Sequence, residues 1–403
     1  MRVAMSVEGL FSRRTSQMGA SAIREILKVV DQPGMISLAG GIPAAESFPL
    51  EALKSLTAEV ISRYGAGAYQ YGVTEGFGPL REAVARYLSR KEIRAAAGDV
   101  IVTTGSQGAL DALGKVLITP GDRIAVEAPT YLGALSAFNP YEPSYVQIPT
   151  DDDGAIPEEL DACLASGPVK FIYLVPTFQN PTGRSLSLER RRRIAEVIMR
   201  RNALLIEDDP YGDLRYRGSS LPAIKSMAPD NVVYLGTFSK VFAPGLRVGF
   251  AAGPESVLRW MVVAKQGTDL HTSTFNQALC AAYLESGAFE RHLPEIVDLY
   301  SPRLDAMIAA MREWFPPWVT WSHPEGGMFV WVEAGRKLDL VSMYERAIAE
   351  NVAYVPGAFF YATPGDGLST MRLNFSMNDE EAIASAVRTL GRVLAAEAAA
   401  PSE

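Results

Sequence analysis

A lysine stands inside Thr237-Phe238-Ser239-Lys240-Val241-Phe242-Ala243-Pro244-Gly245-Leu246-Arg247-Val248-Gly249. Two hydroxyl residues, Thr237 and Ser239, precede it, and a Pro-Gly turn and an arginine follow. A primary amine in that setting can bond a carbonyl carbon as a Schiff base. The hydroxyls and the planar fork of Arg247 would hold an anion such as a phosphate beside it. A Ser-Lys pair before a Pro-Gly turn also occurs in plain solvated loops, so the surrounding elements must decide.

Those elements alternate. Strands are expected at Val100 to Thr104, Arg123 to Ala128, Tyr145 to Ile148, Phe171 to Val175, Ala203 to Ile206, Val232 to Leu235 and Arg247 to Ala251. Several are apolar on both faces, as buried parallel strands are. Helical spacing fills Ser106 to Leu117 and Leu186 to Arg200. The pattern predicts an α/β domain around a mostly parallel, seven-stranded sheet. Farther on, Gly326 to Val332 and Met371 to Phe375 read as strands, and Asp339 to Asn351 and Asp379 to Ala399 as helices. This predicts a smaller α+β unit, with the N-terminal segment packed on it. The expected division is 1–50, 51–300 and 301–403.

Ligands of such sheets sit beyond the carboxyl ends of the strands. The polar residues of interest fall there. Ser106 and Gln107 follow the first strand, Asn180 the fourth, Asp208 the fifth, and Thr237, Ser239 and Lys240 the sixth. Each has an ordinary reading too. Gly105-Ser106-Gln107-Gly108 opens a helix that could bind an anion, yet Ser106 could be only an N-cap. Asn180-Pro181-Thr182-Gly183 is made of common turn dipeptides. Glu207-Asp208-Asp209 could be a solvated strand end, but it follows an all-apolar strand and so is expected to enter a cleft.

Three patterns together resemble the fold type I, pyridoxal-phosphate aminotransferases: S-K-x-x-x-P-G-x-R-x-G at Ser239 to Gly249, N-P-T-G at Asn180 to Gly183, and D-x-x-Y at Asp208 to Tyr211. The resemblance runs from about residue 10 to 395. It implies that Lys240 is the Schiff-base lysine and carries the substrate α-proton. Asp208 would face the pyridine nitrogen, where a carboxylate favours the protonated ring; the D-x-x-Y spacing selects it over Asp209. Asn180 and Tyr211 would bond the phenolic oxygen. Ser106, Gln107, Thr237, Ser239 and Arg247 would hold the phosphate. Tyr131 would stack on the ring, unless it is a core tyrosine. Tyr71 would reach the phosphate of a neighbouring subunit's cofactor in a homodimer, or be an ordinary turn residue. Arg372 would bind the substrate α-carboxylate, or face water from an edge strand.

Within the family, Ser21-Ala22-Ile23-Arg24-Glu25, Leu38-Ala39-Gly40-Gly41-Ile42-Pro43, Gln70-Tyr71, Phe178-Gln179-Asn180 and Ala264 to His271 resemble the 2-aminoadipate and kynurenine aminotransferases. This implies that Gly40 and Gly41 lie beside the substrate. It also implies that Arg24 pairs with a distal carboxylate of glutamate or 2-aminoadipate and yields to an apolar contact for leucine; Arg24 as a solvated helix residue is the alternative. The expected activity is transfer of an amino group from an L-amino acid to a 2-oxo acid such as 2-oxoglutarate. The rivals are a pyridoxal-phosphate lyase or decarboxylase, and a non-catalytic sensor.

Bulk properties agree. At 403 residues, with 48% hydrophobic and 21% charged residues, the chain has the composition of a globular protein with a large core. A net charge of −8 argues against a nucleic-acid partner. No apolar run reaches the ~18 residues of a membrane span. Met1 to Arg14 holds no signal-peptide apolar region. Cys163 and Cys280 form neither a disulfide framework nor a zinc pattern, and His271, His292 and His323 are far apart, so no metal is expected. A cytoplasmic, reducing location is the expectation.

Overall fold

Strands that are apolar on both faces need cover on both faces, and the architecture supplies it. The computed structural model describes residues 8–18, 34–335 and 338–399. The strands are β1 (Ile36–Ser37), β2 (Val100–Thr103), β3 (Arg123–Ala128), β4 (Ser144–Asp151), β5 (Gly154–Ala155), β6 (Ile172–Leu174), β7 (Leu205–Asp208), β8 (Val232–Thr237), β9 (Gly249–Ala252), β10 (Val319–Trp321), β11 (Phe329–Ala334), β12 (Val352–Ala353), β13 (Val355–Pro356) and β14 (Thr370–Asn374). The large sheet runs β2-β9-β8-β7-β6-β3-β4-β5. The pairs from β8 across to β4 are parallel, while β9 is antiparallel to both its neighbours. The seven expected strands are all present. The eighth, β5, is a two-residue hairpin partner of β4, too short to leave a periodic signal.

Period-two alternation sorts the side chains between the two faces. Ile101, Val126, Tyr173, Ile206 and Leu235 pack in one core with Leu110, Leu113, Phe138 and Met261. Ala125, Ile172, Leu174, Leu205 and Val232 pack in another with Ile194 and Ile198. The helix Leu188–Arg201 on that second face has its signals in the sequence. Ser187 caps it by accepting from the Arg190 amide, Glu189 lies in the first turn, and Asn202 ends it in the left-handed conformation.

The smaller sheet runs β10-β11-β14-β13. The N-terminal segment joins this region, because β1 pairs with β12. The helix Ala288–Trp314 packs its apolar residues into the same core as the closing helix Glu380–Ala399. Two expectations there need correction. The helix expected from Asp339 to Asn351 covers only Met343–Ala349; Asp339 instead accepts from the amides of Val341 and Ser342 and makes a turn ahead of it. The strand expected from Gly326 starts at Phe329, because Gly327 is left-handed at φ +74° and turns the chain.

Candidate active site

The carboxyl ends of β7 and β8, the start of the helix Gly105–Leu117 and the strand β14 converge on a cavity of about 400 Å³. Ser106, Gln107, Tyr131, Asn180, Asp208, Tyr211, Thr237, Ser239, Lys240, Arg247, Gly41 and Arg372 all line it. Residues separated by more than 300 positions in the chain thus share one space. Two expected residues are not in the lining. Gly40 lies one residue outside, against Met377 and Ile42. Tyr71 is 79% exposed and meets the His271 ring edge-on at 5.7 Å. Arg24 lies outside the described residues.

The three consecutive acids divide their work by direction. Glu207 points away from the cavity and accepts from the amides of Ile224 and Lys225 at 2.9 and 2.7 Å. Asp209 accepts from the Tyr234 hydroxyl at 2.8 Å and pairs with Lys91 at 3.5 Å. Asp208 alone of the three enters the cavity. It is 1% exposed. Burial, followed by the nearby Asp209 charge, pushes its carboxyl up to about 7 against a lowering hydrogen bond from Tyr173.

Lys240 rides on a loop that the sequence folds tightly. The Thr237 hydroxyl accepts from the Ser239 amide and donates to its Oγ, and the Phe238 amide bonds the Val248 carbonyl. Arg247 takes a left-handed φ of 53°. The Lys240 ammonium donates to the Gly41 carbonyl at 2.9 Å. Burial lowers its pKa to about 8, and the Arg372 and Arg247 charges push the same way. A poised amine at that value is a usable nucleophile and base.

Arg372 is 2% exposed and lies on β14, between β11 and β13, so it is not on an edge strand. It donates to Asn180 Oδ1 at 2.8 Å and to the Ala39 carbonyl at 2.6 Å. Its guanidinium lies 4.3 Å from the Phe329 ring centroid and 5.0 Å from that of Phe360. Among the described residues no carboxylate neutralises it there, and burial lowers its pKa to about 10. A cation kept without an anionic partner in a dry cleft is a receptor for an anion. Asn180 also donates to the Tyr211 hydroxyl at 3.4 Å, so Arg372, Asn180 and Tyr211 form one chain.

The residues present fit pyridoxal phosphate. Ser106 Oγ, Asp208 Oδ1 and Arg372 Nε are buried with no hydrogen-bond partner among the described residues, and all three residues line this cavity. An anion cup, a carboxylate for a pyridine nitrogen and a carboxylate receptor are what those three atoms offer. The helix start is also close-packed. A Cβ on Gly105 would lie 2.7 Å from an Arg247 nitrogen, and one on Gly249 within 2.9 Å of the Ser106 amide nitrogen. The glycines therefore let backbone N–H groups and the guanidinium share one corner.

Sequence reasoning missed Tyr173, whose hydroxyl donates to Asp208 Oδ2 at 2.8 Å. The available signal was a tyrosine inside an apolar strand, since a buried phenol needs a partner. It also missed Ile42, Val175, Pro210 and Pro244, which form the apolar lining.

The chain belongs to the class I and II aminotransferases, whose family model matches residues 33–390, and it is a pyridoxal-phosphate-dependent enzyme. It is 45% identical to an aromatic-amino-acid aminotransferase of Thermococcus litoralis, over 98% of this chain and 96% of that one. A 2-aminoadipate transaminase of Thermus thermophilus is 41% identical, over 95% and 96% of the two chains. Among solved structures, a kynurenine aminotransferase of Pyrococcus horikoshii matches with a TM-score of 0.94 and 45% identity, over 98% of this chain and 99% of that one.

Proposed function

We propose that this aminotransferase takes its amino group from a dicarboxylic, apolar or aromatic L-amino acid and returns it to a 2-oxo acid, 2-oxoglutarate in the first instance. The carrying observation is one cavity that holds the Lys240 amine, together with an Asp208 oxygen and an Arg372 nitrogen that have no hydrogen-bond partner among the described residues. When bound, pyridoxal phosphate supplies an aldehyde carbon that accepts the amino group and a ring that withdraws electrons from the substrate.

The chain's own residues supply the rest. Lys240 would hold the aldehyde carbon and would move the proton at substrate Cα. Asp208 would keep the ring nitrogen charged. Asn180 and Tyr211 would donate to the phenolic oxygen, and Tyr131 would cover the ring. Ser106, Gln107, Thr237, Ser239 and Arg247 would anchor the phosphate. Arg372 orients the substrate α-carboxylate, with Gly40 and Gly41 on the loop beside it. Arg24 receives a distal carboxylate when there is one. The names of the relatives support this range of donors, since they span aromatic amino acids, 2-aminoadipate and kynurenine.

The same reading makes the enzyme a homodimer in which Tyr71 enters the partner's site. Its support is the exposed apolar group of Tyr69, Tyr71, Val73 and Leu270, which a second copy would cover. The division at residues 50 and 300 belongs to this reading as well. The free, buried thiols of Cys163 and Cys280 suit a reducing cytoplasm. Among the described residues, no helix is long and apolar enough to cross a membrane.

The test is the absorbance spectrum of the purified enzyme. The reading requires a near-visible band that falls on adding glutamate and returns with 2-oxoglutarate. Ammonia released without an oxo-acid acceptor would mark a lyase instead.

A further inference from the structure

The two oxygens of the Asp208 carboxylate are held differently. Oδ2 accepts from the Tyr173 hydroxyl at 2.8 Å. Oδ1 is buried and has no hydrogen-bond partner among the described residues, and Asp208 lines the cavity. The sheet explains the arrangement. Tyr173 on β6 is in register with Ile206 on β7, and Asp208 lies two residues on. Tyr173 and Asp208 therefore share a face of neighbouring strands.

The phenol is also fixed. Tyr173 is fully buried, and Phe138 meets its ring edge-on at 6.0 Å between centroids. Burial and the Asp208 charge push its pKa well above the ordinary value, so the hydroxyl stays protonated and acts as a donor. Without that donor, no hydrogen bond among the described residues would fix the Asp208 carboxylate plane.

We propose that Tyr173 is a positioning residue for the cofactor: its hydroxyl holds Oδ2 of Asp208 so that Oδ1 faces the pyridine nitrogen. This rests on the reading that Asp208 meets that nitrogen. Tyr173 touches neither substrate nor cofactor and acts only through the carboxylate. A hydrogen bond to a charged acceptor in a dry site is stronger than a neutral one, so its loss should register in cofactor affinity.

A double-mutant cycle on cofactor binding separates this role from packing. Pyridoxal phosphate is titrated into four apoproteins: the parent, Tyr173→Phe, Asp208→Ala and the double variant. Dissociation constants are read from absorbance, and each apoprotein's thermal unfolding is recorded beside them. Phenylalanine keeps the ring against Phe138 and removes only the hydroxyl. In the parent background, Tyr173→Phe should weaken binding about tenfold, the low end for a charge-assisted hydrogen bond. In the Asp208→Ala background the same change should cost less than about twofold. Equal losses in both backgrounds would overturn the positioning role. So would unchanged affinity in Tyr173→Phe beside weakened affinity in Asp208→Ala, and either result leaves the reading of Asp208 standing. Unchanged affinity in Asp208→Ala would remove that reading, and the role of Tyr173 with it.

Discussion

Lys240 should be an unusually reactive amine in the apoprotein. Its environment lowers the pKa from 10.5 to about 8. At pH 7 an ordinary lysine is about 0.03% free base, whereas an amine with a pKa near 8 is about 9% free base. The ratio, roughly 300-fold, is the expected gain in the nucleophilic fraction. The assay is competitive acylation of the cofactor-free protein with trace acetic anhydride from pH 6 to 11, followed by peptide mapping. Labelling of Lys240 should rise with pH and level off above about 8, well below the ordinary lysine range. The sign carries over to stability. Between about pH 8 and 10.5 the unfolded chain holds a proton on this amine that the folded chain has lost. The group's penalty to the fold is thus fully present below pH 8 and relieved as pH rises through that window. Burial is the first cause of the shift, and Arg372 is the second. Arg372→Leu should therefore move the midpoint upward, and Glu51→Gln, which lies on the far helix Leu50–Tyr64, should not. A Lys240 midpoint at the ordinary lysine value would refute the reasoning.

Other outcomes follow from the same geometry. Arg372→Lys cannot keep both the Asn180 and Ala39 bonds and still present a fork, so kcat/KM should fall by about 100-fold through KM; steady-state kinetics with an unchanged KM would remove Arg372 from substrate binding. Gly249→Ala places a methyl group 2.8 Å from the Gly105 carbonyl carbon, so it should cost about 1–3 kcal/mol of stability and weaken cofactor binding, as denaturant melts and titration would show. Lys91→Met leaves the half-buried carboxylates of Asp209 and Asp213 without their shared cation and should destabilise the fold by about 2–4 kcal/mol; an unchanged urea midpoint would refute that. Arg24→Ala should raise KM for glutamate far more than for leucine, and equal changes would mean that Arg24 does not read the distal carboxylate.

Much of this was legible in the sequence. The seven expected strands of the large sheet were visible because each holds an apolar run bounded by turns. The motif residues were visible because each sits just past such a run, where an open α/β sheet gathers its ligands. The two-residue strands β1, β5, β12 and β13 were not, since two residues carry no period. The turn at Asp339 competed locally with a helix pattern and won through side-chain acceptance of two amides.

The sequence by itself determined the α/β class, the lysine loop and the set of strand-end residues, because these rest on local periodicity and turn chemistry. The D-x-x-Y resemblance favoured Asp208 within Glu207-Asp208-Asp209, but only the tertiary structure decided where each of the three acids points. Strand direction sends Glu207 to the helix Ile224–Met227, Asp209 to Lys91 and Asp208 to the cavity. Tertiary structure also brought Arg372 to Asn180 across 192 positions and set Tyr173 against Asp208 through the register of β6 on β7. Those pairings depend on which strands become neighbours, and no local stretch of sequence encodes that.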